Sequence, residues 1–197
     1  LEKDIPYNLK SEAQGATKPS NMDTAPTQFN VTDVVRLNKD KETVKNAIMQ
    51  YGSVTSGYAH YSTYFNKDET AYNCTNKRAP LNHAVAIVGW DDNYSKDNFA
   101  SDVKPESNGA WLVKSSWGEF NSMKGFFWIS YEDKTLLTDT DNYAMKSVSK
   151  PDSDKKMYQL EYAGLSKIMS NKVTAANVFD FSRDSEKLDS VMFETDS

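Results

Sequence analysis

The chain reads as an α+β protein built on an antiparallel β-sheet or partial barrel with one packed helix. Three observations carry that reading. Short β-favouring runs follow one another at residues 84–90, 110–114 and 125–131. Loops, with no helical pattern, connect them, so antiparallel neighbours are expected in place of crossover units. A single amphipathic stretch, residues 41–51, repeats its apolar positions at helical spacing.

Each element has a local cause. Residues 1–30 are rich in Ser, Thr, Asn, Ala and Pro, and they are expected to run as extended loop. Val34, Val35 and Leu37 make a strand-like step. Asn38 or Asp40 then stands where a helix cap belongs, Val44, Ile48 and Tyr51 share one face, and Gly52 stops the helix. Residues 53–58 alternate weakly as a strand, and Tyr61, Tyr64, Phe65 and Tyr72 decorate a polar loop that reaches Pro80. The run from Ala84 to Trp90 is apolar at almost every position, as a strand buried on both faces would be. Asn108-Gly109 is a turn signal just ahead of the next strand.

Composition sets limits on function. With 197 residues, 38% hydrophobic content and 12% aromatics there is enough apolar surface for a core. Net charge is -5 with mixed signs, which does not make the electrostatic footprint of a nucleic-acid binder. No apolar run is long enough to span a bilayer. One cysteine, Cys74, excludes an intrachain disulfide and any multi-cysteine metal site. No metal and no cofactor are expected.

Antiparallel pairing gives two of the runs a chemical meaning. If the strand after His83 lies beside the strand before Ser115, the two residues face each other across a loop centred near Phe99. Opposed residues have Cβ atoms about 5 Å apart, so the hydroxyl falls within reach of the imidazole. Histidine is the side chain best suited to proton transfer near neutral pH. On spacing alone, His83 reads as a surface or satisfied core histidine ahead of a catalytic one.

The segments Asn82-His83-Ala84-Val85-Ala86-Ile87-Val88-Gly89-Trp90, Trp111-Leu112-Val113-Lys114-Ser115-Ser116-Trp117-Gly118 and Gly125-Phe126-Phe127-Trp128-Ile129, in this order and spacing, resemble the second lobe of papain-like cysteine proteases. The resemblance covers about residues 1–147 and includes Ile5-Pro6-Tyr7 and the helix ending at Gln50-Tyr51-Gly52. It implies a cysteine endopeptidase with a polypeptide substrate, in which His83 is the base that deprotonates a cysteine and later protonates the leaving amine. It also implies that Trp117 shields the histidine's hydrogen bond, beside the alternative that Trp117 simply packs in the core. The family carries an asparagine where Ser115 stands. A hydroxyl donates as well as accepts, so the ring could be held less firmly here. Gly57 and Ala84 match positions lining the main specificity pocket, although Gly57 also permits close strand packing. His60 matches nothing and is expected in a solvated loop.

The family's nucleophile belongs to the first lobe, at a helix start that lowers the thiol pKa. Cys74 lacks that motif and reads as an inert loop thiol, so the expectation is a nucleophile upstream, on a missing N-terminal lobe of the same protein. Residues 148–156 read as a linker, and 157–197 as three strand-like runs of an incomplete all-β module. That order resembles bacterial surface cysteine proteases followed by a lectin-like domain. It implies a secreted or cell-surface protein with cell-wall carbohydrate as a second partner. Two other readings stay open: a catalytically weakened homologue acting as a surface or carbohydrate-binding protein, and a papain-fold enzyme performing acyl transfer.

Overall fold

The computed structural model describes residues 28–138, 142–151 and Lys187. The 157–197 module and the loop expected over 1–27 lie outside them. All described residues except Lys187 belong to a unit that ends at Pro151.

One sheet organises this unit. Its strands are β1 (Asn30–Arg36), β2 (Val54–Tyr58), β3 (Ala71–Tyr72), β4 (His83–Asp91), β5 (Ala110–Ser115), β6 (Phe126–Ser130) and β7 (Tyr143–Ser149), in the spatial order β1-β7-β2-β4-β5-β6-β3. Every named pairing is antiparallel except β3 with β6, which is parallel. The sheet is therefore mixed and open, not a closed barrel. Helix α1 (Lys41–Tyr51) packs against β2, β4 and β7. Among the described residues no helix is long and apolar enough to cross a membrane.

The helix follows its sequence signals closely. The Asp40 carboxylate accepts from the Thr43 amide at 2.9 Å, satisfying one of the open N–H groups of the first turn. At the other end Gly52, at φ +90°, turns out of the helix while its N–H returns to the Ile48 carbonyl at 2.8 Å. A residue with a Cβ would be strained there. Val44, Ala47 and Ile48 are buried against Val54, Val85, Ile87 and Val113. Lys45 reaches Asp92 at 2.7 Å, tying the helix to the end of β4.

Three expectations need correction. β4 is not buried on both faces: Val85 and Ile87 are buried, Ala84 is exposed and Ala86 is half-buried. The helix and core cover one side, and the small alanines leave the other accessible. The aromatic loop after β2 is not merely decorated: Tyr72 is fully buried and Phe65 nearly so, because β3 docks on β6 and turns these rings into the core. Finally, β7 runs through Val148 and Ser149, two residues read as linker. Its burial is confined to Ala144. Pairing with β1 supplies the backbone hydrogen bonds, so the strand needs no apolar alternation of its own.

The aromatic core beneath the sheet ends joins fold to site. Phe127 is fully buried, with its ring 5.2 Å from Phe65 and 6.0 Å from Tyr58 between centroids. Phe127→Ala is expected to cost about 3–5 kcal/mol, as for other buried phenylalanines. Denaturant unfolding measures this, and a loss below about 1 kcal/mol would contradict the packing described.

Candidate active site

His83 begins β4 and lies beside Tyr58 of β2. Across the other edge of β4, Ser115 pairs with Val85 and not with His83, so the expected register is displaced by two residues. The cause is how the connecting loop closes. The Gly109 amide donates to the Tyr94 carbonyl at 2.9 Å, which starts β5 at Ala110 opposite Asp91. A β-bulge between Ile87 and Gly89 then offsets the ladder again. Because the net shift is even, His83 stays on the same face as Ser115. The pair becomes diagonal, and the imidazole spans it: His83 Nε2 lies 3.1 Å from Ser115 Oγ.

Ser115 is buried, with 3% of its surface accessible, so its hydroxyl needs its partners from the protein. It has two. Besides the His83 ring, the Trp117 backbone amide donates to Oγ at 3.2 Å. One lone pair is thus occupied, and the remaining lone pair and the O–H are what Ser115 can offer to Nε2. The hydroxyl can accept from a protonated Nε2 or donate to a bare one.

Trp117 covers this bond. Its ring stacks on His83 at 4.0 Å between centroids and 29° between planes. The loop that carries it depends on a glycine. Gly125, at φ +80°, approaches so closely that a Cβ there would lie 2.0 Å from the Gly118 carbonyl oxygen. Only a residue without a side chain closes the loop in this form.

His60 requires the largest correction. It stands inside the site, half-buried, not in a solvated loop. Its ring lies 5.8 Å from His83 and 4.6 Å from Trp117, and it stacks against Tyr72 at 5°. Its backbone is held by both arms of Asn82, whose Oδ1 accepts from the His60 amide at 2.7 Å and whose Nδ2 donates to the His60 carbonyl at 3.1 Å. Just ahead of it, the Ala59 amide donates to Thr135 Oγ1 at 3.1 Å. Tyr58 Oη and His60 Nδ1 are hydrogen-bonded. Burial pushes the Tyr58 hydroxyl far above its ordinary pKa, so it keeps its proton and is able to donate to Nδ1. Burial, aided by repulsion from His83, lowers the His60 pKa to about 4. His60 lies two residues past the end of β2, so no strand periodicity marks it in the sequence.

The remaining expected residues lie apart from this cluster. Gly57 and Ala84 are direct partners in the β2–β4 ladder. Side chains alternate along a strand, so this pair sits on the face opposite Tyr58 and His83, with Ala84 exposed. Cys74 is a free, fully buried thiol whose sulfur faces the Asn76 carbonyl at 3.6 Å. Burial raises its pKa, the reverse of what activates a nucleophile. Among the described residues no cluster of three or more His, Cys, Asp or Glu could hold a metal.

This arrangement can do one kind of chemistry well. A half-buried imidazole, anchored at Nε2 and covered by an indole, can take and return a proton at its other nitrogen without losing its orientation.

Comparison with known proteins bears on that chemistry. A family model described as "Papain family cysteine protease" matches residues 1–148. Among curated proteins, rat (Rattus norvegicus) testin-2 is 37% identical over 99 residues, covering 49% of this chain and 27% of that protein. Mouse (Mus musculus) cathepsin J is 29% identical over 128 residues, 62% of this chain and 36% of that protein. Cathepsin B-like cysteine proteinase 3 of Caenorhabditis elegans is 28% identical over 93 residues, 47% of this chain and 22% of that protein. The chain thus spans about a third or less of each of these relatives.

The depressed His60 pKa has a thermodynamic consequence. Its folded value of about 4 lies below the ordinary 6.5, so the unfolded chain takes up this proton first as pH falls. The stabilisation is complete above about pH 6.5 and is lost progressively between there and about pH 4. Urea unfolding across this window is expected to show a smaller pH dependence in His60→Phe than in the parent protein. Equal slopes would mean that His60 titrates normally.

Proposed function

Since the chain belongs to the papain family of cysteine proteases, we propose that it supplies the acid/base half of a thiol peptidase whose nucleophilic cysteine lies outside these 197 residues. The observation that carries this is the His83–Ser115–Trp117 cluster: a ring fixed at Nε2 and covered on one face. The buried Cys74, with its raised pKa, does not serve as the nucleophile.

The steps follow from which ring nitrogen is anchored. Nε2 faces Ser115, so Nδ1 is the nitrogen that exchanges the proton. Taking a cysteine proton there makes an imidazolium, whose Nε2–H donates to the Ser115 hydroxyl oxygen while the Trp117 amide occupies its other lone pair. The thiolate attacks a peptide carbonyl. Nδ1 returns the proton to the departing amine, leaving a thioester that water hydrolyses, with His83 acting as base again. Trp117 keeps water from competing for the Nε2 bond, which strengthens it.

Ser115 weakens this design at one point. When His83 is neutral the hydroxyl can rotate and donate to Nε2, placing the ring proton on Nδ1, the tautomer that cannot accept from a thiol. An asparagine carbonyl at this place has no proton of its own to give.

The substrate that this chemistry takes is a polypeptide. The same proposal places the protein at a bacterial surface or outside the cell, with residues 157–197 as the start of a carbohydrate-binding module, on sequence resemblance alone.

Peptide hydrolysis by the full protein tests the reading. His83→Ala is expected to lower kcat by about a hundredfold or more, the scale of a lost general acid–base. A protein that never hydrolyses peptides, or one indifferent to this substitution, would point to a binding role. Ser115→Asn is expected to raise kcat between about twofold and tenfold, the range of one neutral hydrogen bond. An unchanged or lower rate would show that Ser115 is not what limits the orientation of His83.

A further inference from the structure

His60 does more in this fold than fill space. Its position is fixed from every side: Asn82 holds its backbone with two hydrogen bonds, and Phe65, Tyr72 and Trp117 surround its ring. Side chains this constrained usually serve packing, but packing needs no particular tautomer. Here a partner meets one nitrogen only. The Tyr58 hydroxyl is hydrogen-bonded to Nδ1, and with the hydroxyl as donor a hydrogen is left on Nε2, a nitrogen that no hydrogen-bond partner meets among the described residues.

The free edge has somewhere to point. A pocket of about 190 Å³ is lined by His60, Ser62, Phe65, Glu69, Trp117 and Phe120. Trp117, the indole that covers His83, forms one of its walls. In peptide cleavage His83 hands its proton to the departing amine, so the chain on the leaving-group side passes over His83 and the neighbouring Trp117. That chain carries peptide carbonyls, each needing a donor once water is displaced.

We propose that His60 is a substrate-binding residue, a neutral imidazole locked by Tyr58 in the Nε2–H form and donating to a peptide carbonyl oxygen on the leaving-group side of the scissile bond. This rests on the peptidase reading above and adds to it a binding contact beyond the cleaved bond. The neutral state is maintained at physiological pH because burial and the nearby His83 both disfavour a second positive charge. A neutral donor also suits a carbonyl acceptor, which carries no charge to balance an imidazolium.

Two kinds of substrate separate binding from packing. One is a peptide extending at least two residues past the cleaved bond. The other is the same acyl sequence ending in a 2-naphthylamide, whose leaving group has no carbonyl to place in the pocket. His60→Phe keeps the ring and removes the donor. In the full-length protein it is expected to lower kcat/KM for the extended peptide between about twofold and tenfold more than for the naphthylamide. Equal losses on both substrates, or no loss on either, would overturn the proposal. If the parent protein hydrolyses neither, the peptidase reading itself fails. A measurement on the unmutated protein checks the tautomer independently of folding in any variant: ring ¹⁵N spectroscopy should show the His60 proton on Nε2. A proton on Nδ1 would overturn the assignment.

Discussion

The hydroxyl of Ser115 is the point at which strand, loop and imidazole meet. It ends β5, receives the Trp117 amide and stands 3.1 Å from His83 Nε2. Because it is buried, none of these partners can be exchanged for water without cost. The β4–β5 register therefore has to deliver Ser115 to the same face as His83, and it does so through an even displacement. An odd displacement would have turned the hydroxyl to the opposite side of the sheet and left the ring without an anchor.

From that point the constraints spread outward. Trp117 stacks on His83 only because its loop closes tightly, which the backbone approach at Gly125 permits. His60 meets the same indole edge-on and stays within 5.8 Å of the His83 ring, fixed by Asn82 and Tyr58. The two histidines have opposite settings. His83 is anchored at Nε2 by Ser115, and His60 is anchored at Nδ1 by Tyr58. Proximity of two imidazoles favours such a division of labour, since both cannot be charged at once at low cost.

Much of this is legible in the sequence, for identifiable reasons. Helix α1 is legible because Asp40, the apolar face from Val44 to Ile48 and Gly52 are local signals that agree with one another. The β4, β5 and β6 runs are legible because each is short, apolar and flanked by turn residues. The His83–Ser115 contact is legible as to face but not as to register, which depends on a non-local loop closure and a bulge. Less is legible where pairing does the work of pattern. β7 is a largely exposed strand with one buried residue, and β3 has two residues, so neither carries a clear periodic signal. His60 is missed for a related reason: it lies beyond the end of β2, where alternation no longer announces a strand, and its importance comes from rings that arrive from elsewhere in the chain.

In the proposed mechanism His83 works with a thiol other than Cys74. Treatment of the full-length protein with a peptidyl epoxide, followed by mass spectrometry of the modified peptide, tests it most directly. One labelled cysteine outside these 197 residues, an unlabelled Cys74 and loss of labelling in His83→Ala are expected. Labelling at Cys74, or labelling that survives the loss of His83, would contradict it.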